Sequence, residues 1–441
     1  MQPAEIVAEL PVSLETQLSV HCPTEPPSIL TRVRGVFVGI LLAGLSGIAP
    51  AAAAAAGAPT LIEQGQYMSR LADCGACHTG AGGTPYAGGL AITTPFGTVT
   101  STNITPDPET GIGNWSDDDF YRAVVDGVGS HGEYLYPAMP FTSFTKMTRA
   151  DVLSVKAYLF SLKPVHAPHI PNGLAFPFDI RWTMIVWRTL FFDRGVYQPD
   201  QKRSAEWNRG AYIVEGPGHC GECHSPRNAL GGTETEHSLA GGTDGVWRAP
   251  NISADPRWGI GKLSVGDIVG FLKAGAHDTS GVAFGPMAEV VKDSLSYVED
   301  TDLRAIAVFL KAGPDRAPSA GEQATIHDDL GHGQQLYLTH CANCHQAGGQ
   351  GFPGVISNLA ANSVVMSDRP DDIVDVVLKG QTGVGAYGTM PSFDSALSDQ
   401  DIADVANYLR SEWGNHAPMN ATPALVTSLR AKAASTRQAP R

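Results

Sequence analysis

Three times the chain carries Cys-x-x-Cys-His: Cys74-Gly75-Ala76-Cys77-His78, Cys220-Gly221-Glu222-Cys223-His224 and Cys341-Ala342-Asn343-Cys344-His345. This is the attachment pattern of haem c. Two cysteines so spaced lie about one helical turn apart, so both thiols reach the two vinyl groups of one porphyrin while the next residue points its imidazole at the iron. The expectation is three covalent haems, on Cys74 and Cys77, Cys220 and Cys223, and Cys341 and Cys344, with His78, His224 and His345 as iron ligands. Zinc ribbons also use Cys-x-x-Cys pairs, but two pairs make one tetrahedral site, and three pairs each followed by His do not assemble into whole sites. A thioredoxin-like dithiol requires a βαβ setting that surrounds none of the three.

The 441 residues leave room for two to four domains, and 43% hydrophobic with 17% charged residues is ordinary for globular protein. Residues 1–31 carry no Lys or Arg; then Arg32-Val33-Arg34 precedes an apolar run, Gly35 to Pro50, and the alanines 51–56. This is the order of a secretory signal peptide, its apolar run short for a membrane span. Cys22 is expected to leave with it, so the mature chain devotes all six remaining cysteines to haem. Four Glu and two Arg leave too, taking the net charge from −14 to −12. Such an acidic chain has no business with nucleic acid. The acid either offers a docking surface to a basic redox partner or is a solvated face.

Three units of one design follow. Each opens with an amphipathic segment running into its motif, with Gly65-Gln66-Tyr67, Gly210-Ala211-Tyr212 and Gly333 to Tyr337 at matching places; the small residue lets another helix cross closely. A second short helix ends on glycine in each, Asp119 to Gly127, Asp267 to Gly275 and Asp372 to Gly380. Beyond it come Met139, Met287 and Met390, each in a Gly/Pro/aromatic loop. One such methionine is ordinary core, but three at one point of three repeats point to thioether ligands opposite the histidines, giving His/Met haems. His219 and His340, beside the motifs, are expected to be structural or tuning groups. Capping sequences Thr148 to Asp151 and Ser398 to Asp401 open closing helices, with Glu299 to Leu310 in the same place of the middle unit. An enlarging loop sets units one and two apart from three: 25 residues separate His78 from Asn103 and 27 separate His224 from Asn251, but only 13 separate His345 from Asn358.

The fold expected is all-α, in three domains at 57–165, 204–313 and 330–413. A leader and signal peptide occupy 1–56, an aromatic linker 166–203, a polar connector 314–329 and a basic tail 414–441. Linker residues 174–192 carry Trp182, Trp187, Phe191 and Phe192, with Arg181 and Arg188 expected two turns apart on one helical face. Such a helix either lies in a membrane interface or is buried against a partner or between haem domains.

The three motifs, the Asn103-Ile104-Thr105-Pro106-Asp107-Pro108 stretch, the Tyr136-Pro137-Ala138-Met139-Pro140 loop, the Phe176-Pro177-Phe178-Asp179-Ile180-Arg181 linker and the closing Ser411-Glu412-Trp413-Gly414-Asn415 resemble the three-haem cytochrome c subunit of bacterial membrane-bound dehydrogenases. The resemblance runs from about residue 60 to 415. It implies three tandem class I cytochrome c domains, and a subunit without substrate chemistry of its own. Such a subunit accepts electrons from a PQQ, flavin or molybdenum catalytic subunit and passes them to ubiquinone on the periplasmic side of the cytoplasmic membrane. The tail after Trp413 departs from the family: in place of a hydrophobic anchor it carries Arg430, Lys432, Arg437 and Arg441 and no acid, which suits contact with anionic lipid or a frayed end. The competing functions are a free periplasmic shuttle to a terminal oxidase and a peroxidase-type haem enzyme.

Overall fold

In this computed structural model residues 59–243, 248–278, 281–313 and 330–438 are described. The expected signal peptide with Cys22 and the connector 314–329 lie outside them. The first stretch of chain holds α1 (Leu61–Leu71), α2 (Cys74–Cys77), α3 (Asp117–Asp126), α4 (Phe141–Phe144) and α5 (Arg149–Phe160), and the linker carries α6 (Met184–Phe191). The same order recurs as α7 (Ala205–Glu215), α8 (Gly221–His224), α9 (Val265–Ala274), α10 (Pro286–Asp293) and α11 (Asp300–Lys311). The third stretch has α12 (Gly331–His340), α13 (Ala342–His345), α14 (Asp371–Lys379), α15 (Asp399–Ser411) and α16 (Pro423–Gln438).

Local sequence accounts for the helix ends. Thr60, Ser116, Ser264 and Ser398 each cap a helix with their hydroxyl while the acid three residues on reaches back to the cap amide. Asp119 and Asp267, expected in a first turn, are two of those reaching acids. Gly127 and Gly275 end α3 and α9 in the left-handed conformation, at φ 59° and 72°, that glycine adopts without strain.

In every unit the first helix crosses the closing helix at glycine. A Cβ on Gly65 would lie 1.9 Å from Ser154 O, one on Gly210 2.0 Å from Ala305 O, and one on Gly333 2.4 Å from Asp404 O. The expected close crossing is present three times. The aromatic partners are not equivalent, however. Tyr337 is fully buried and stacks with Tyr408 and Trp413, whereas Tyr67 and Tyr212 reach out of their own units to Asp302 and Asp151.

The first two repeats share one continuous apolar core, from Met68 and Leu71 through Val152 and Leu159 to Ile213, Leu303 and Ile306. A second core around Tyr337, Val374, Leu378, Ile402 and Val426 belongs to the third. Between them run the Arg248–Asp368 ion pair at 3.3 Å and the Asp278 carboxylate, which accepts from Gly354 N–H at 2.8 Å and Tyr387 OH at 2.5 Å.

Three expectations need correction. The fold is largely helical but not all-α. The loop that enlarges unit one forms β1 (Ala91–Thr94) and β2 (Gly97–Thr100), an antiparallel hairpin extended by β3 (Gly173–Leu174) from the linker. Its β-branched Thr, Ile and Val run turns on Pro95-Phe96, a pattern the helical periodicity elsewhere obscures. Two further pairs, β4 (Gly242–Thr243) with β5 (Arg248–Ala249) and β6 (Ala276–His277) with β7 (Gly281–Val282), lie in unit two. Second, the basic tail is built into the third core: Val426 and Leu429 are buried, and Arg430 pairs with Asp399 at 2.8 Å and with Asp394. Third, the linker arginines turn inward. Arg181 donates to Tyr134 O at 2.8 Å and Arg188 to Asp126 O, because α6 docks on unit one.

Arg410, fully buried, holds the end of the third unit together. Its guanidinium donates to the carbonyls of Val365, Ser367, Arg369 and Pro418 at 2.7–3.2 Å.

Overpacking at the crossings should destabilise by about 1–3 kcal/mol. Gly65→Ala and Gly210→Ala are expected to lower the thermal midpoint, whereas Gly195→Ala, with open space around its Cβ, leaves it unchanged. A second expectation concerns pH. Burial pushes the Asp372 carboxyl up to about 7 from 3.8, with Arg248 opposing. A raised acid binds its proton more tightly when folded, so this group's contribution to stability falls as pH climbs from about 4 to about 7 and levels off above. Denaturant titrations of the protein and of Asp372→Asn across that range should differ by this component.

Candidate haem sites

Each attachment motif sits at the end of its unit's first helix, α2, α8 and α13, with Cys74, Cys220 and Cys341 part-buried and Cys77, Cys223 and Cys344 exposed. The residue before the motif turns the chain: Asp73 stands at φ 50° and His219 at φ 37°, αL values uncommon outside glycine. Burial pushes the Cys74 and Cys220 thiols up to about 12 and the Cys341 thiol up to about 11.

The histidines show one geometry three times. His78 Nδ1 lies 2.7 Å from Thr102 O, His224 Nδ1 2.7 Å from Pro250 O and His345 Nδ1 3.1 Å from Ser357 O. A carbonyl only accepts, so Nδ1 carries the proton and Nε2 keeps its lone pair for a metal. Burial lowers the pKa of all three, against the carbonyl bond, and so favours the neutral imidazole that ligation requires. The donor set therefore fits a haem iron.

The carbonyls come from the residue just before Asn103, Asn251 and Asn358, and each asparagine folds its own turn. Its Oδ1 accepts the amide two residues on, from Thr105 at 2.9 Å, Ser253 at 2.8 Å and Ala360 at 2.8 Å. Their distance from the motif aligns these asparagines in the sequence but assigns them no task. The task is to aim a backbone carbonyl at the imidazole, which composition cannot reveal because any residue supplies a carbonyl.

The three methionines do not share one local setting. Met139 is in a turn, with its amide bonded to Tyr136 O at 3.1 Å, and packs on the first core. Met390 exchanges both backbone bonds with Gln381 and packs on the second core. Met287 is not in a loop but in the first turn of α10, since Pro286 opens that helix at Gly285. His219 turns aside, with Nδ1 2.9 Å from Pro217 O and its ring edge-on to Phe144. His340 stands beside Phe393.

Glu222, between the cysteines of the second motif, is a site residue that sequence reasoning misses. It accepts from Thr142 at 2.7 Å and Ser143 at 2.8 Å, on the helix after Met139, and pairs with Arg227. Its only signal is an acid where the other motifs have Ala76 and Asn343.

A largely helical fold that places Cys-x-x-Cys-His beside a carbonyl-bound imidazole defines a covalent c-type cytochrome. The family model for cytochrome C oxidase, cbb3-type, subunit III matches residues 328–409. The alcohol dehydrogenase (quinone) cytochrome c subunit of Gluconacetobacter polyoxogenes is 38% identical over 427 residues, 91% of each chain. The gluconate 2-dehydrogenase cytochrome c subunit of Pantoea cypripedii is 37% identical over 84% of this chain and 89% of its own. A nicotinate dehydrogenase subunit of Pseudomonas putida is 42% identical over 88% of this chain, which spans 34% of that relative's length. The chain belongs to the family of dehydrogenase cytochrome c subunits.

The asparagine turns are directly testable. Asn251→Ala should loosen the Pro250 carbonyl, weaken the His224 hydrogen bond and shift the reduction potential of one haem only, read by spectroelectrochemical titration.

Proposed function

We propose that the chain carries three covalent haems in three tandem class I cytochrome c domains and relays electrons from a dehydrogenase catalytic subunit to ubiquinone. The observation that carries this is the imidazole–carbonyl geometry repeated at all three motifs. His78 with Met139, His224 with Met287 and His345 with Met390 would hold the three irons. Haem bound there would supply a one-electron Fe(III)/Fe(II) couple, and the substrate chemistry would belong to the partner. Residues 1–56 direct export, and the protein works on the periplasmic face of the cytoplasmic membrane as a peripheral subunit. Relatives that are subunits of alcohol, gluconate and nicotinate dehydrogenases support a dehydrogenase catalytic subunit as the partner, which we take to be of PQQ, flavin or molybdenum type.

No helix of the described residues is long and apolar enough to cross a membrane. The linker offers another attachment. One side of α6 is docked: Met184 is buried, Trp187 donates to Leu230 O at 2.9 Å, and Phe191 lies over Gly232. The other side, with Trp182 66%, Ile185 48%, Val186 57% and Leu190 62% exposed, and Phe176 80% exposed nearby in sequence, is apolar and unpartnered. Such a face suits the membrane interface where ubiquinone resides.

Intact-mass measurement should find three haem additions. Replacing Met139, Met287 or Met390 by a non-ligand should lower one haem potential and diminish the far-red sulfur-to-iron band, which substitution of buried Met68 or Met147 should not do. Glu in place of Val186 or Leu190 should release the protein from membranes and weaken quinone reduction, with artificial-acceptor activity intact. Full activity of the unmodified chain alone, from the periplasmic fraction with a soluble acceptor, would favour the free shuttle.

A further inference from the structure

Units one and two meet through the same residues used twice. Tyr67 on α1 donates to Asp302 Oδ2 on α11 at 2.7 Å, and Tyr212 on α7 donates to Asp151 Oδ2 on α5 at 2.5 Å. Each tyrosine stands two residues after its crossing glycine, and each aspartate is the third residue of its closing helix. The same hydroxyls accept the N-cap amide of the opposite closing helix, Thr148 to Tyr212 at 3.2 Å and Glu299 to Tyr67 at 3.4 Å. Each aspartate is also held from its own unit by the residue before the crossing glycine, Asp151 by Gln64 at 3.2 Å and Asp302 by Arg209 at 2.8 Å. Burial pushes both hydroxyls up, so they remain donors.

A contact in which residue i meets j and j meets i is the mark of a twofold interface. The third unit lacks the tyrosine: Gln335 stands exposed where the other units have it, while Asp401, the third residue of its closing helix, lies 3.5 Å from His332, the residue before its crossing glycine.

The exchange extends to the haem attachment motifs. Helix α10, which carries Met287 in its first turn, packs on α2, the first motif helix. Reciprocally α4, just after Met139, is bonded through Thr142 and Ser143 to Glu222 inside the second motif. Cys74 and Cys220 pack on one core. The third unit is joined by unrelated polar residues, Asp278 to Tyr387 and Arg248 to Asp368, with no reciprocal pair among the described residues.

We infer that units one and two form a pseudo-twofold module that holds the first and second haems as the closest pair of the relay, with Glu222, Thr142 and Ser143 as positioning residues. The inference rests on the three-haem assignment above. The first two centres then act as one rapidly shared electron store, and the third is reached across a separate junction.

Pulsed EPR of the fully oxidised, haem-loaded protein reads haem–haem dipolar coupling directly. One strongly coupled pair is expected, and Glu222→Ala and Thr142→Val should each weaken that coupling while sparing the coupling to the third haem. Asp278→Ala should do the reverse. Tyr67→Phe and Tyr212→Phe should lower the thermal midpoint by similar amounts. A strongest coupling that responds to Asp278→Ala, or that neither Glu222→Ala nor Thr142→Val changes, would overturn the pairing. Fewer than three haem additions by mass would instead strike at the three-haem assignment.

Discussion

Each unit depends on one hydrogen bond, from imidazole Nδ1 to a backbone carbonyl. An imidazole has two equivalent ways to carry its proton, and only a fixed acceptor on one nitrogen leaves the other free for a metal. The acceptors, Thr102, Pro250 and Ser357, belong to loops 24, 26 and 12 residues beyond their histidines. The loops can therefore differ in length, and even contain a β-hairpin, provided the asparagine turn at the end presents its carbonyl at the same point. This explains how three units of unequal size keep one arrangement at the motif.

The second constraint is close helix crossing. Gly65, Gly210 and Gly333 bring the first and closing helices to backbone contact, which ties the motif, at the end of the first helix, to the most deeply buried segment of its unit. What the first two units then do with the neighbouring residues differs from the third. Tyr67 and Tyr212 join two units into one core, whereas the third unit spends its aromatic, Tyr337, on its own interior and completes itself with α16 and the buried Arg410.

The linker helix is docked on one side and apolar on the other. Its arginines and half of its aromatics satisfy carbonyls and pack against rings of units one and two, as in Phe141 with Phe192 at 5.2 Å. Only the remaining apolar residues, Trp182, Ile185, Val186 and Leu190, are left for a surface outside the chain. A helix of 8 residues has too little surface to be buried all round without a second layer above it.

The chemistry and the repeat are legible in the chain before it folds. Cysteine spacing, the histidine that follows, the capping residues and the crossing glycines are local signals, readable because a helical turn fixes where such neighbours point. The assembled fold settles the rest: which carbonyl holds each imidazole, that Met287 opens a helix where Met139 lies in a turn, that the tail is core, and which tyrosine crosses to which aspartate. Tyr67 and Asp302 lie 235 residues apart. Their partnership follows from how two folded units fit face to face, and no periodicity within either unit encodes that fit.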